Sequence, residues 1–360
     1  MDLLRLWRLM RTRREFLRMA GLAALGGLAA CRRPAEDTVA PTTAATTPPR
    51  TPDQVPGALE WLRLRFDGST PPPRRDHTIT GREDAPAAFL FGGREQGRSL
   101  DDLWILDVDA GVWRMSRASG PAPRFGHNAV LFKGRLVVFG GEGGPGVFFN
   151  DVWAFDPEAD QWDDISPDGA APSPRYGASG TLIGETFTIS HGFTDTGRFD
   201  DTWSLGRRWQ DVSPDEGPRP IERCLHRASF VPAIERMVLF GGQTTGVSAL
   251  DDTWLFDSQK RTWTEVGGRR PPARNLYAEG ATNDAFFVFG GAGLDGPRND
   301  IWAFRAGAWE ELRVSGQPPP ARGATAGTII RGPNLLVFGG AGASGELDDA
   351  WELPLPKAPA

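Results

Sequence analysis

Cysteine is scarce in this chain: Cys31 and Cys224 are the only two in 360 residues. If Cys31 is consumed by processing, as argued below, Cys224 stands alone and the mature chain forms no internal disulfide. It reads as a small apolar residue on a buried strand. Lysine is also rare, with Lys133, Lys260 and Lys357 the three among 40 basic residues. In so arginine-rich a chain, no single arginine stands out as chosen for function. Long apolar runs are missing: that of residues 19–30 is 12 long, short of the roughly 20 that a membrane-spanning helix needs. Basic excess is missing too. The net charge is −6, and residues 1–30 hold six Arg against two acids, so the remainder carries about −10 (−6 minus +4). That balance disfavours nucleic acid and anionic lipid surfaces as partners. The chain has no Cys-x-x-Cys-His, phosphate loop, dinucleotide fingerprint or convincing Gly-x-Ser-x-Gly, so no cofactor is expected.

The first 57 residues read as an address and a tether. Thr12-Arg13-Arg14-Glu15-Phe16-Leu17-Arg18 precedes the short apolar stretch, and small residues follow it. A charged start, a short apolar segment and a small-residue cut site make a signal peptide over residues 1–30. The paired arginines followed by Phe-Leu resemble a twin-arginine signal. Leu28-Ala29-Ala30-Cys31 resembles the lipobox of bacterial lipoproteins, which implies lipid on Cys31 and anchoring without a spanning helix. Residues 31–57, rich in Pro, Thr and Ala, read as an extended tether. The expected location is the cell envelope, on a membrane facing periplasm or exterior.

What the chain has in abundance is Trp, Gly and Pro, at 13, 45 and 31 residues. They recur with a period. Phe-Gly-Gly stands at 91–93, 139–141, 240–242, 289–291 and 338–340, with Ser190-His191-Gly192 in the remaining slot. The first Gly position advances by 48, 51, 50, 49 and 49 residues. About ten residues later comes an acidic pair and a Trp, as in Asp101-Asp102-Leu103-Trp104 and Asp251-Asp252-Thr253-Trp254. A second Trp follows at 113, 162, 209, 263 and 309. Apolar runs such as Leu136-Val137-Val138-Phe139 suit strands covered on both faces. The acidic pair is expected to serve turn amides.

These motifs resemble Kelch repeats over residues 58–355. The resemblance implies an all-β fold, a six-bladed Kelch β-propeller with four strands per blade around a channel. The sixth repeat lacks its second Trp. Trp61 precedes Arg74 by 13 residues, as Trp162 precedes Arg175 and Trp309 precedes Arg322. Residues 58–66 are therefore expected to supply the outer strand of blade six and close the ring, leaving residues 356–360 as a tail.

An arginine precedes the first strand of every blade: Arg74, Arg124, Arg175, Arg223, Arg274 and Arg322. In Kelch propellers that strand lines the channel, so these are the candidate binding residues, a cationic ring suited to carboxylate, phosphate or acidic sugar. The repeat itself gives the competing reading, that each is a structural part of its blade. Three residues on stand His77, His127, Ala178, His226, Tyr277 and Thr325. One His per blade need not converge, so no metal is expected. Galactose oxidase contains a Kelch propeller, but its copper site needs a Tyr–Cys crosslink, and Tyr176 and Tyr277 both hold repeat positions. Phe148, Phe149, Phe193 and Phe199 lie in variable loops, where they either contact a partner or pack down. The expected function is non-catalytic binding of a protein or glycan, anionic ligands included, by a monomer. The alternative is a carbohydrate-active enzyme, resembling the sialic-acid epimerase of this class, acting on an acidic sugar at the channel mouth with Glu222 as base. A purely structural envelope protein is the third reading.

Overall fold

A computed structural model describes residues 59–82 and 85–356. The signal segment, Cys31 and the tether lie outside the described residues. Six four-stranded antiparallel sheets make up the fold, each with its strands in spatial order. Blade 1 comprises Thr78–Gly81, Ala87–Phe91, Leu103–Asp107 and Val112–Met115; blade 2 comprises Asn128–Phe132, Arg135–Gly144, Val147–Asp156 and Gln161–Asp164. Blade 3 runs through Ser179–Ile183, Thr186–Thr194, Gly197–Leu205 and Trp209–Asp211; blade 4 through Arg227–Val231, Arg236–Phe240, Thr253–Asp257 and Thr262–Val266. Blade 5 holds Ala278–Ala281, Ala285–Phe289, Ile301–Arg305 and Ala308–Glu311. Blade 6 has Ala326–Ile330, Asn334–Gly342 and Gly345–Pro354, and its outer strand is Leu62–Arg63. The ring is thus closed by the N-terminal segment, with Leu62 opposite Glu352 and Arg63 opposite Trp351. First strands of successive blades lie side by side around the channel.

One aromatic contact repeats around the ring. Each outer-strand Trp packs on the aromatic residue at the Gly-Gly step of the preceding blade. Ring centroids are 5.5 Å apart for Trp113–Phe338, 5.1 Å for Trp162–Phe91 and 5.1 Å for Trp209–Phe139. They are 6.1 Å for Trp263–His191, 5.0 Å for Trp309–Phe240 and 4.7 Å for Trp61–Phe289. The double-Trp repeat is therefore an inter-blade device, each ring burying area that neither blade covers alone. Trp61 follows the rule although it comes from the other end of the chain.

In four blades the residue three after the repeat arginine wedges the same interface from the channel side. His77 meets Phe338, His127 meets Phe91, His226 meets His191 and Tyr277 meets Phe240, with centroids 5.1–5.7 Å apart. The first strands have no strand partner on the channel side, and hydroxyls of the neighbouring blade fill part of that role. Ala228 N–H donates to Ser179 Oγ at 2.6 Å, Phe230 N–H to Thr181 Oγ1 at 3.1 Å and Gly81 N–H to Thr328 Oγ1 at 2.8 Å. Satisfying these amides matters because an unpaired buried N–H costs about as much as a lost hydrogen bond.

Just before the first strands, Asp76, Gly126, Gly177, Leu225, Leu276 and Ala324 all adopt left-handed backbone, with φ between 51° and 64°. Their peptides are linked blade to blade. Asp76 N–H donates to Ala324 O, Gly126 to Asp76, Gly177 to Gly126, Leu225 to Gly177 and Leu276 to Leu225, at 2.7–3.1 Å. This belt lines one end of the channel.

Candidate functional site

The six repeat arginines are structural. Arg74 Nη1 and Nη2 take the two oxygens of Asp102 at 2.7 Å each, Nη1 also reaches Gly92 O at 3.0 Å, and Nε reaches Pro72 O at 3.2 Å. Trp104 Nε1 donates to the same carboxylate at 2.6 Å. Identical units join Arg124 to Asp151, Arg175 to Asp201, Arg223 to Asp252, Arg274 to Asp300 and Arg322 to Asp349. A guanidinium fork matches a carboxylate, and a residue two positions on in a strand lies on the same face, which places the indole N–H beside it. Burial pushes Asp102, Asp252, Asp300 and Asp349 upward. The arginine hydrogen bond and charge, with the indole N–H, outweigh it and hold each below the usual carboxylate range.

The expected cationic ring is accordingly corrected. Each of the six arginine side chains is 0% exposed, with its fork already filled. No guanidinium of the six is presented at the surface. The acidic pair is corrected as well: its second member serves Arg and Trp. Turn amides go instead to Asp107, Asp156 and Asp257, which accept from Ala110, Ala159 and Lys260 at 2.9–3.2 Å.

Glu222 is exposed, accepts from Thr245 Oγ1 at 3.4 Å and lines neither channel cavity, so it is not the expected pocket base. The loop aromatics pack down. Phe149 covers the Arg124 guanidinium at 4.2 Å, Phe199 covers Arg175 at 4.0 Å, and Phe148 meets Phe193 edge-on at 6.4 Å. Cys224 is buried in a small cluster with Phe125, Tyr176 and Leu225.

The hairpins joining the second and third strands share one face of the ring with the arginine loops. Neighbouring hairpins and loops are braced together. Gln96 N–H donates to Glu346 Oε2 at 2.8 Å, Ser99 Oγ to Gly143 O at 2.7 Å, Arg198 Nη1 to Thr245 Oγ1 at 3.1 Å and Asn275 Nδ2 to Ser248 O at 2.6 Å. Their tips differ from blade to blade and hold exposed apolar side chains: Leu294 at 72%, Val147 at 51% and Val247 at 43%.

The channel holds a second group that sequence reasoning missed. A cavity of about 40 Å³ is lined from all six blades, with Arg227 and Glu279 its charged residues. Arg227 Nε lies 4.0 Å from Glu279 Oε1, and Ser229 Oγ donates to Glu279 Oε2 at 3.1 Å. Burial pushes the Glu279 carboxyl up to about 7, against the pull of Arg227 and Ser229. The signal was available. Four residues after the repeat arginine stand Thr78, Asn128, Ser179, Arg227, Ala278 and Ala326, and five after stand Ile79, Ala129, Gly180, Ala228, Glu279 and Gly327. One charge breaks each series. His77, His127, His191 and His226 are buried, and desolvation with nearby arginine charge holds all four far below the usual imidazole range, His77 down to about 3. They are neutral wedges, and among the described residues no cluster of three or more His, Cys, Asp or Glu is arranged to hold a metal.

Two overlapping segments, residues 56–215 and 206–358, match the KLHDC2/KLHL20/DRC7 Kelch-repeats domain. The chain belongs to the Kelch-repeat family. An F-box/kelch-repeat protein of Arabidopsis thaliana is 31% identical over 221 residues, 55% of this chain and 45% of that protein. The leucine-zipper-like transcriptional regulator 1 homolog of Drosophila melanogaster is 27% identical over 272 residues, 68% of this chain and 27% of that protein. The dynein alpha chain of the flagellar outer arm of Chlamydomonas reinhardtii is 29% identical over 226 residues, 57% of this chain and 5% of that protein. The Kelch chain thus spans less than half the length of each of these relatives.

Proposed function

We propose that this Kelch propeller is a non-catalytic protein-binding module, displayed on the cell envelope by lipid on Cys31. The observation that carries the reading is the division of labour along each repeat. The recurring polar groups are consumed inside the blade, while exposed apolar side chains are offered by hairpin tips that differ between blades. Exposed apolar groups on a braced scaffold suit recognition of a protein surface. An F-box/kelch-repeat protein and a dynein chain are each similar to this chain over part of their own length, as expected of a transferable binding unit.

Photo-crosslinkers placed at Leu294 and Val247 in intact cells test the face, with Val112 on the outer strand of blade 1 as the control position. A discrete protein adduct at the two tips and none at Val112 is expected. Equal labelling at all three positions, or none, overturns the assignment. Cys31→Ser tests the address: the protein moves to the soluble fraction or stays unprocessed. A processed, membrane-bound Cys31→Ser product overturns the anchor.

A further inference from the structure

The channel is where the repeat departs from its own rule, and the departure is a charged one. The Arg227 side chain is 20% exposed, yet its guanidinium donates no hydrogen bond to any described residue. The nearest carboxylate oxygen is Glu279 Oε1, at 4.0 Å. Asn128, 5% exposed, lines the same cavity with no side-chain hydrogen bond among the described residues. Thr78, beside it, pairs its hydroxyl with His127 Nε2 at 2.9 Å. Both groups open on the cavity with donors that no described residue fills. A small anion takes such donors through charge-assisted hydrogen bonds.

We propose that the central channel is a binding site for one small monovalent anion, of halide or nitrate size, held by the Arg227 guanidinium and the Asn128 amide, with Glu279 competing for the same guanidinium. The size follows from the cavity, about 40 Å³, which takes such an anion with a water or two. The site is independent of the hairpin tips, which lie on the outer surface of one face.

Competition makes the site pH-dependent. An ionised Glu279 neutralises Arg227, and a protonated one leaves the guanidinium to the anion. Burial places that change at about 7. The other titratable groups facing the channel are three histidines, Tyr277 and Asp76. His77, His127 and His226 are held neutral by burial and by surrounding arginines, Arg227 among them. The Tyr277 hydroxyl, raised by burial, accepts from the Arg227 backbone N–H at 2.9 Å and donates to Phe240 O at 2.6 Å. Asp76 is held by Arg94 Nε at 2.7 Å. With one group titrating near pH 7, affinity falls about 30-fold between pH 5.5 and pH 8.5.

The test uses bromide on the full chain. Anomalous diffraction from bromide-soaked crystals at pH 5.5 shows a peak against the Arg227 guanidinium. Thermal melting in sodium bromide, against sodium gluconate at equal ionic strength, gives the apparent affinity. The wild type binds about 30-fold more weakly at pH 8.5 than at pH 5.5, and Glu279→Gln keeps the tight binding at both. Arg227→Met loses the bromide response. Absence of the peak, pH-independent binding in the wild type, or an unchanged response in Arg227→Met overturns the proposal. If Arg227→Met does not fold, the wild-type pH comparison and Glu279→Gln still decide it.

Discussion

Both carboxylate oxygens of Asp252 lie 2.6 Å from the Nη atoms of Arg223, and the indole N–H of Trp254 completes the group at 2.8 Å. The two partners are 29 residues apart in one repeat. Their pairing therefore pins the loop entering a blade to that blade's third strand. Breaking such a buried pair from one side leaves an uncompensated charge and costs about 3–5 kcal/mol. Arg124→Ala and Arg274→Ala should each lower the melting temperature sharply, and the double variant further, before any binding defect appears. Two variants that melt like the wild type would return these arginines to the role of ligand contacts.

Ring closure makes a second prediction. Trp61 is 4% exposed and sits on Phe289. Trp61→Ala should cost roughly 3–5 kcal/mol, the range for removing a large buried aromatic. A chain beginning at Asp67 also loses Leu62–Arg63 and bares the edge of Gly345–Pro354, so it should aggregate or melt much lower. Wild-type melting of that shortened chain would exclude this closure.

Stability should fall as the medium is acidified below about pH 6.5, well before exposed carboxylates titrate. The four buried histidines have folded values below their unfolded one. Their contribution is whole above the unfolded value and is lost as pH drops toward the folded one, by up to about 1.4 kcal/mol per pH unit for each. Glu279, with its folded value raised, acts in the opposite sense and loses stability as pH rises toward 7. Chemical denaturation at several pH values measures the slope, and His127→Asn should flatten it. A slope unchanged by that substitution would mean His127 is already charged in the folded protein.

Glycine substitutions should separate two costs. At Gly126, φ is 60° and an added Cβ would stand 2.1 Å from Tyr176 Cδ2. At Gly146, φ is 78° with nothing within 4 Å. Gly146→Ala should lose only the left-handed backbone cost, about 1–2 kcal/mol. Gly126→Ala should lose clearly more, because Tyr176 is buried beside Phe125 and has little room to move. Equal losses would show that the Tyr176 ring yields.

Blade number and closure were legible because the repeat is written in residues that meet across a blade interface. Six Trp pairs require six interfaces, and Trp61 could be matched to the missing one by its spacing from Arg74. The fate of the arginines was not legible from the arginines. A guanidinium recurring once per blade reads the same whether it faces a ligand or a carboxylate. The discriminating sign was the partner, since Asp102 and its five counterparts recur just as strictly, two residues before a Trp. Arg227 and Glu279 each stand out as the one charge in their series, but that they meet was not legible, because only the closed ring brings two separate blades to one cavity.

The clasp that completes the ring has a mechanical consequence. Leu59 and Glu60 run parallel to Val314 and Ser315, Trp61 is buried, and Leu62 and Arg63 pair with blade 6. Any pull on the chain ahead of Leu59 is therefore borne first by two stitches of two residues each, on either side of one indole ring. A load arriving from that direction meets the ring at its latch, and the force that unfastens it sets how hard the whole propeller can be tugged.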